Sequence, residues 1–339
     1  MGIQADNANL GLAALAYAAV RLVKDAIPLD SELLLFSPNS AATLDRMRAE
    51  LGLGDLPLRT RALRLKDPLG LASAFKEMSQ CDLVVDFTGG DSFSDIYGQK
   101  RLARKLFYKQ MVLWAGTPLV LAPQTYGPLT RRLSIPWFRH VVDRASQVYS
   151  RDNLSADFLR SLIRRDVRVT TDVAVTLPWD ETMYSFPING TLRVAISVSG
   201  LLWRGGYTGQ NQFDLRADYR QYCHELVDAL ISRGWEVHLV AHVAGRPSED
   251  IDEDDVHACR ELAKDHPAVR LGPAFESPVQ AKSYIAKMDL LVGSRMHATI
   301  ASFSSGVATI PVAYSRKFIG FFGNLDYHRV VDLTTSGTA

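Results

Sequence analysis

DLLVGSRMHATIASFSSGVATIPVAYSRK, residues 289–317, decides the fold. The apolar run 289–293 closes on a glycine, and Ser294 then stands where a helix cap belongs. Met296, Ile300 and Phe303 follow at helical spacing, so the stretch predicts a strand and then a helix. Beyond Gly306 a second short strand is predicted over 308–313, running out at Tyr314 into Ser315, Arg316 and Lys317. Arg295 and His297 thus open a helix, where unpaired amides and the positive end of the helix dipole favour an anion. Arg295 adds a bidentate donor for carboxylate or phosphate. An ordinary αβ unit with solvated cations would read similarly. The arrival of Arg295, His297 and Lys317 at the carboxyl ends of adjacent strands favours an anion site instead.

Arg295-x-His297 followed by Tyr314-x-x-Lys317 resembles the C-terminal signature of the polysaccharide pyruvyl transferase family, in which Arg-x-His opens a helix and Tyr-x-x-Lys follows the next strand. The resemblance implies an α/β chain of two Rossmann-like parallel-sheet domains, GT-B-like, with the catalytic cleft between them. It also implies a reaction that moves an enolpyruvyl-derived group from phosphoenolpyruvate onto a pair of sugar hydroxyls.

Composition is compatible with this. The 339 residues suffice for two domains, and 47% apolar with 22% charged residues is an ordinary soluble balance. A net charge of +1 speaks against a general nucleic-acid binder. Cys81, Cys223 and Cys259 are odd in number and far apart, so neither a disulfide framework nor a zinc pair is indicated, and a reducing, cytoplasmic setting is expected. The Ala-rich segment 10–20 is too short to span a bilayer and reads as a buried helix.

In the first half, short apolar runs at 33–36, 82–87, 118–121 and 147–149 alternate with helical segments such as 68–78 and 102–114, predicting a parallel sheet with helices on both faces. Three strand ends carry further family resemblances. Thr88-Gly89-Gly90-Asp91 resembles a Gly-Gly loop, readable as a ligand loop or as a plain turn; Asp91 there could accept a sugar hydroxyl proton. Gln124-Thr125-Tyr126-Gly127-Pro128 resembles a Gln-x-x-Gly-Pro loop, with Gln124 and Tyr126 either touching acceptor hydroxyls or holding a rigid turn. Arg151-Asp152-x-x-Ser155 matches a third signature, Arg151 being a second anion clamp or part of a capped helix start. Asn9-Leu10-Gly11 resembles an Asn-x-Gly loop, although barely a first strand precedes it, and the tail lacks the helix with which a GT-B chain normally crosses back.

Pro178, Trp179, Pro187, Asn189 and Gly190 break the periodicity, which puts the domain boundary near Phe186: residues 1–186 on the acceptor side and 187–339 on the donor side. In the second half, the Gly-rich stretch 203–209 reads as a loop able to close over substrate or as an ordinary mobile loop. His242 stands at another strand end, and the acidic run 249–255, which lacks EF-hand spacing, reads as a solvated helix start.

Phosphoenolpyruvate carries a carboxylate and a phosphate, so the resemblance calls for at least two fixed cations. Arg295, Lys317 and Arg151 are the candidates, with Ser294 and Tyr314 alongside. His297 is the proton donor, Asp91 the base, and Gly89, Gly90, Gln124 and Tyr126 the acceptor side. No metal and no cofactor beyond phosphoenolpyruvate as co-substrate is expected. The expected acceptor is a glycan or lipid-linked saccharide, reached by peripheral contact with a membrane and without a transmembrane segment. Two rivals share these features: a GT-B glycosyltransferase using a nucleotide sugar, and a non-catalytic glycan-binding relative.

Overall fold

Alternation of short apolar runs with amphipathic segments gives the protein two parallel-sheet α/β units. The computed structural model describes every residue except Leu29, Ser92, 245–252 and 336–339, together with the side chain of Arg316. The first unit comprises residues 1–6 and 15–173, the second residues 7–14 and the chain from Ala174 on.

The first unit contains most of α1 (Leu10–Ala26), then β1 (Leu33–Leu35), α2 (Ala41–Leu51), β2 (Leu58–Thr60), α3 (Pro68–Gln80), β3 (Val84–Asp86), α4 (Gln99–Trp114), β4 (Leu119–Gln124), α5 (Ile135–Arg144), β5 (Gln147–Ser150), α6 (Asn153–Leu162) and β6 (Arg168–Val169). Strands β3 to β6 form a parallel sheet in chain order, and β1 and β2 form a separate parallel pair. Local chemistry sets the helix ends. Ser40 caps α2 by accepting from the Thr43 amide, Asp67 precedes Pro68 at the first position of α3, and Asp152 caps α6 through Ser155. Phe93, Phe138, Leu106, Leu119 and Val148 pack the core. One ion pair lies within it: Lys109 Nζ is 2.8 Å from Asp86 and 4.4 Å from the centre of the Phe93 ring.

The second unit runs β7 (Arg193–Ser197), α7 (Gly200–Trp203), α8 (Tyr219–Ile231), β8 (Glu236–Leu239), α9 (Asp255–Asp265), β9 (Arg270–Leu271), α10 (Pro278–Ile285), β10 (Leu290–Gly293), α11 (Met296–Ser304), β11 (Ala308–Ala313), α12 (Arg316–Asn324) and β12 (Val331–Asp332). Its sheet is parallel in the order β12-β11-β10-β7-β8-β9. The chain winds one way from β7 and the other way from β10, so the carboxyl ends of these two neighbours form a topological switch point, where open α/β sheets bind ligands.

The division falls at 173/174, earlier than the composition break near Phe186. Residues 174–186 strap onto the second unit. Lys282 Nζ donates to the carbonyls of Leu177 (2.7 Å) and Val175 (3.4 Å) and faces the Trp179 ring at 5.0 Å. The Asp180 amide donates to Ser283 Oγ at 2.8 Å, and Tyr184 and Phe186 pack edge-on against Tyr284.

Candidate functional site

The switch point brings together Ser197 to Gly200 after β7, His242 after β8, and Ser294 to His297 after β10. Arg295 occupies the N-cap of α11 and gives it no side-chain cap. The cap expected from Ser294 is therefore not made. Its hydroxyl is turned inward to accept from Tyr219 Oη at 2.9 Å, and Tyr219 Oη in turn accepts from the Ser199 amide at 2.9 Å.

Arg295 is 7% exposed and its donors are already engaged. Nε reaches both Asp255 oxygens at 3.0 and 3.1 Å, Nη2 reaches Asp255 Oδ1 at 2.6 Å and the Glu253 carbonyl at 2.9 Å, and Nη1 reaches Glu253 Oε2 at 3.1 Å. Burial opposes the charge, but Asp255, with Tyr314 and Glu253, more than offsets it and keeps the guanidinium protonated. Asp255 also accepts from the amides of Gly200 (2.8 Å), His242 (3.1 Å) and Val243 (2.9 Å). One carboxylate thus ties together the segments after β7, β8 and β10. The acidic run is not a solvated helix start at this point: Asp254 caps α9 and Asp255 is fully buried. Residues 249–252 of that run lie outside the described residues.

Opposite this hub, residues 8–11 run alongside 242–244. The Leu10 amide donates to the His242 carbonyl at 3.0 Å, and the Ala244 amide to that of Ala8 at 3.1 Å. Asn9 Oδ1 accepts from the Gly11 amide at 2.9 Å and opens α1. A Cβ on Gly11 would lie 2.3 Å from His297 Nδ1, so the glycine is there to make room for the imidazole. No other residue fits without moving the ring.

His242 is 3% exposed, and neither ring nitrogen has a hydrogen-bond partner among the described residues. Burial, reinforced by His297 and Arg295, pushes its pKa down to about 3 from 6.5, so it stays neutral. The folded state therefore binds fewer protons than the unfolded chain below pH 6.5, and stability falls as the pH drops from there towards 3. Between pH 7 and pH 5 this one group should cost about 2 kcal/mol. Urea unfolding of the wild type and of His242→Phe at both pH values should show that extra loss in the wild type alone. Equal losses would mean that His242 charges freely.

Tyr314 is buried against Phe213 and Phe318. Lys317 is half-buried in the first turn of α12, whose N-cap, Ser315, also provides no side-chain cap. The Gly-rich loop is packed: the Gly206 amide donates to the Leu201 carbonyl at 2.8 Å, and Tyr207 Oη donates to Glu253 Oε1.

The first unit has its own cluster. Arg151, 2% exposed, pairs with Asp172 at 2.6 Å and donates from Nε to Thr125 Oγ1 at 2.8 Å. Gly90, at φ +79°, lies against it: a Cβ there would meet Arg151 Nη1 at 3.1 Å. Gly89 shares the left-handed backbone at φ 63°. Asp91 is half-buried and accepts from Tyr97 Oη at 2.9 Å. Gln124 and Tyr126, read either as acceptor contacts or as parts of a rigid turn, are both buried. Gln124 is fully buried, with Nε2 donating to the Ala122 and Asp86 carbonyls. Tyr126 packs on Phe93 and Phe138 and donates to the Tyr149 carbonyl.

Among the described residues no group of three or more His, Cys, Asp or Glu is placed to hold a metal ion, and no helix is long and apolar enough to cross a membrane.

Solved structures share the architecture at low identity. A UDP-N-acetylglucosamine 2-epimerase aligns with a TM-score of 0.60 at 11% identity, covering 96% of this chain and 82% of that one. The UDP-GlcNAc 2-epimerase of Neisseria meningitidis, bound to UDP-GlcNAc, gives 0.52 at 12% over 88% and 79%. HepE of Anabaena, in complex with UDP-glucose, gives 0.51 at 13% over 91% and 78%. These likenesses establish a GT-B-type fold of two Rossmann-like units. No curated protein sequence matches the chain. The family model for polysaccharide pyruvyl transferase, however, matches residues 9–316, from the Asn9 turn that seats His297 to the start of α12, and the chain belongs to that family.

Proposed function

We propose that the protein transfers a pyruvyl group from phosphoenolpyruvate to two hydroxyls of a glycan or its lipid-linked precursor, forming a cyclic ketal. The observation that carries this reading is His297 in the first turn of the uncapped α11, held beside Gly11 and the neutral His242 at the switch point. The amides of that turn suit an anionic donor. Lys317, on the neighbouring α12, is the cation proposed to complete its binding, while Arg151 is held by Asp172 and Thr125 within the first unit. With Asp255 engaging Arg295, that residue's proposed part is to shape the donor site.

His297 protonates C3 of the enol, leaving cationic character at C2. A sugar hydroxyl adds there with loss of its proton to a base, the part proposed for Asp91. Phosphate then leaves with its C–O electron pair, and the second hydroxyl closes the ketal with loss of its proton. An imidazole can give and recover a proton near neutral pH within one cycle. Mass spectrometry of a glycan panel incubated with phosphoenolpyruvate tests the reading. A product heavier by one pyruvyl ketal, with release of phosphate, supports it; a hexose added from a nucleotide sugar would support a glycosyltransferase.

Gly11→Ala should leave folding nearly intact, because the backbone there lies outside the left-handed region, but it should displace the imidazole. A shift of about 1 Å in a catalytic group costs on the order of 10²-fold in turnover. Steady-state kinetics should show the loss in kcat; an unchanged kcat would dissociate His297 from the chemistry.

A further inference from the structure

In the first unit, the loop after β3 and the loop after β4 are clamped together. Asp95 Oδ2 accepts from the Thr130 amide (2.8 Å), the Thr130 hydroxyl (3.0 Å), the Arg131 amide (3.0 Å) and Gln99 Nε2 (2.9 Å), and Ser134 Oγ donates to Gln99 Oε1 at 2.5 Å. The clamp gathers residues 96–104 and 129–136 into one surface. These segments hold five cations, Lys100, Arg101, Arg104, Arg131 and Arg132, and no carboxylate, in a chain with 38 basic and 37 acidic residues. Two apolar side chains stand out among them: Leu133 is 94% exposed and Ile96 56%. The five cations and these two protruding apolar side chains together make a basic face with apolar points.

We infer that this face docks on a lipid bilayer carrying anionic headgroups. The cations complement the headgroup charge, and Leu133 and Ile96 enter the interfacial apolar layer. An acidic polysaccharide would satisfy the cations but offers no apolar phase for the two protruding side chains. The surface also borders the proposed acceptor site. Tyr97, with Arg101 stacked 4.6 Å from its ring centre, donates to Asp91. Resting on the proposed function for its purpose, the inference makes the acceptor a saccharide presented at a membrane.

Flotation of the full chain with vesicles tests this without donor or acceptor. One set is pure phosphatidylcholine; the other contains one-third phosphatidylglycerol. The wild type should float with the anionic set only. The quadruple variant Lys100→Glu, Arg101→Glu, Arg131→Glu, Arg132→Glu should bind at least ~100-fold more weakly, and the double variant Ile96→Ser, Leu133→Ser about 10-fold more weakly. Circular dichroism should confirm that both remain folded, as exposed substitutions allow. Absence of flotation, equal flotation with neutral vesicles, or unchanged binding by either variant would overturn the inference. So would competition by a soluble acidic polysaccharide combined with indifference to Ile96→Ser, Leu133→Ser, which would identify a glycan surface. Pyruvyl transfer to a soluble acceptor is measured separately, so failure of the proposed reaction leaves the flotation result standing on its own.

Discussion

Arg295→Ala should destabilise the second unit by about 3–5 kcal/mol, the usual cost of stranding one member of a buried ion pair. The guanidinium makes five contacts to Asp255 and Glu253, and Asp255 has no access to water with which to replace them. Arg295→Lys should rescue little, because an ammonium cannot span both Asp255 oxygens and the Glu253 carbonyl from one position. Adding Asp255→Asn to Arg295→Ala removes the uncompensated charge while keeping an oxygen for the Gly200 amide. The double variant should therefore be less destabilised than the two single losses added together, with a coupling of roughly 2 kcal/mol or more. Urea unfolding of the four proteins measures the cycle. A loss below about 1 kcal/mol for Arg295→Ala would mean that the guanidinium is available to a ligand.

His297→Gln should keep the fold and most donor affinity while turnover falls ~10²- to 10⁴-fold, the range contributed by a positioned acid or base. Unlike Arg295, His297 is only half-buried, so its replacement leaves no buried charge behind. Single-turnover kinetics under saturating phosphoenolpyruvate should place the defect in the chemical step. A normal chemical step with weakened donor binding would make His297 a ligand contact.

These two neighbours show what the sequence could and could not disclose. The strand, helix and strand of 289–317 were legible because apolar spacing and two glycines mark their ends, and β10, α11 and β11 fall where expected. The engagement of Arg295 was not, because its partner lies 40 residues earlier in an acidic run. The signal was nevertheless there: Asp255 shares helical spacing with Ala258, Cys259 and Leu262, the buried face of α9. Gln124 shows the converse. Read as part of the loop after the strand, it is instead the last residue of β4 and falls on the inward side, as buried as Leu119. Gly11 was matched by resemblance alone; that its missing side chain seats His297 depends on a fold contact between positions far apart in sequence.

The segmented make-up of the second unit bears on dissecting the gene. A product beginning at Gly190, after the composition break, would strip Lys282 of the Leu177 and Val175 carbonyls and expose an ammonium whose burial lowers its pKa to about 8. Starting at Ala174 retains those partners but still omits residues 7–14, the strip that pairs with 242–244 and carries Gly11. No single cut yields a self-sufficient catalytic half. Fragment complementation would require the opening residues supplied in trans, and a circular permutant would have to rejoin them ahead of Ala174.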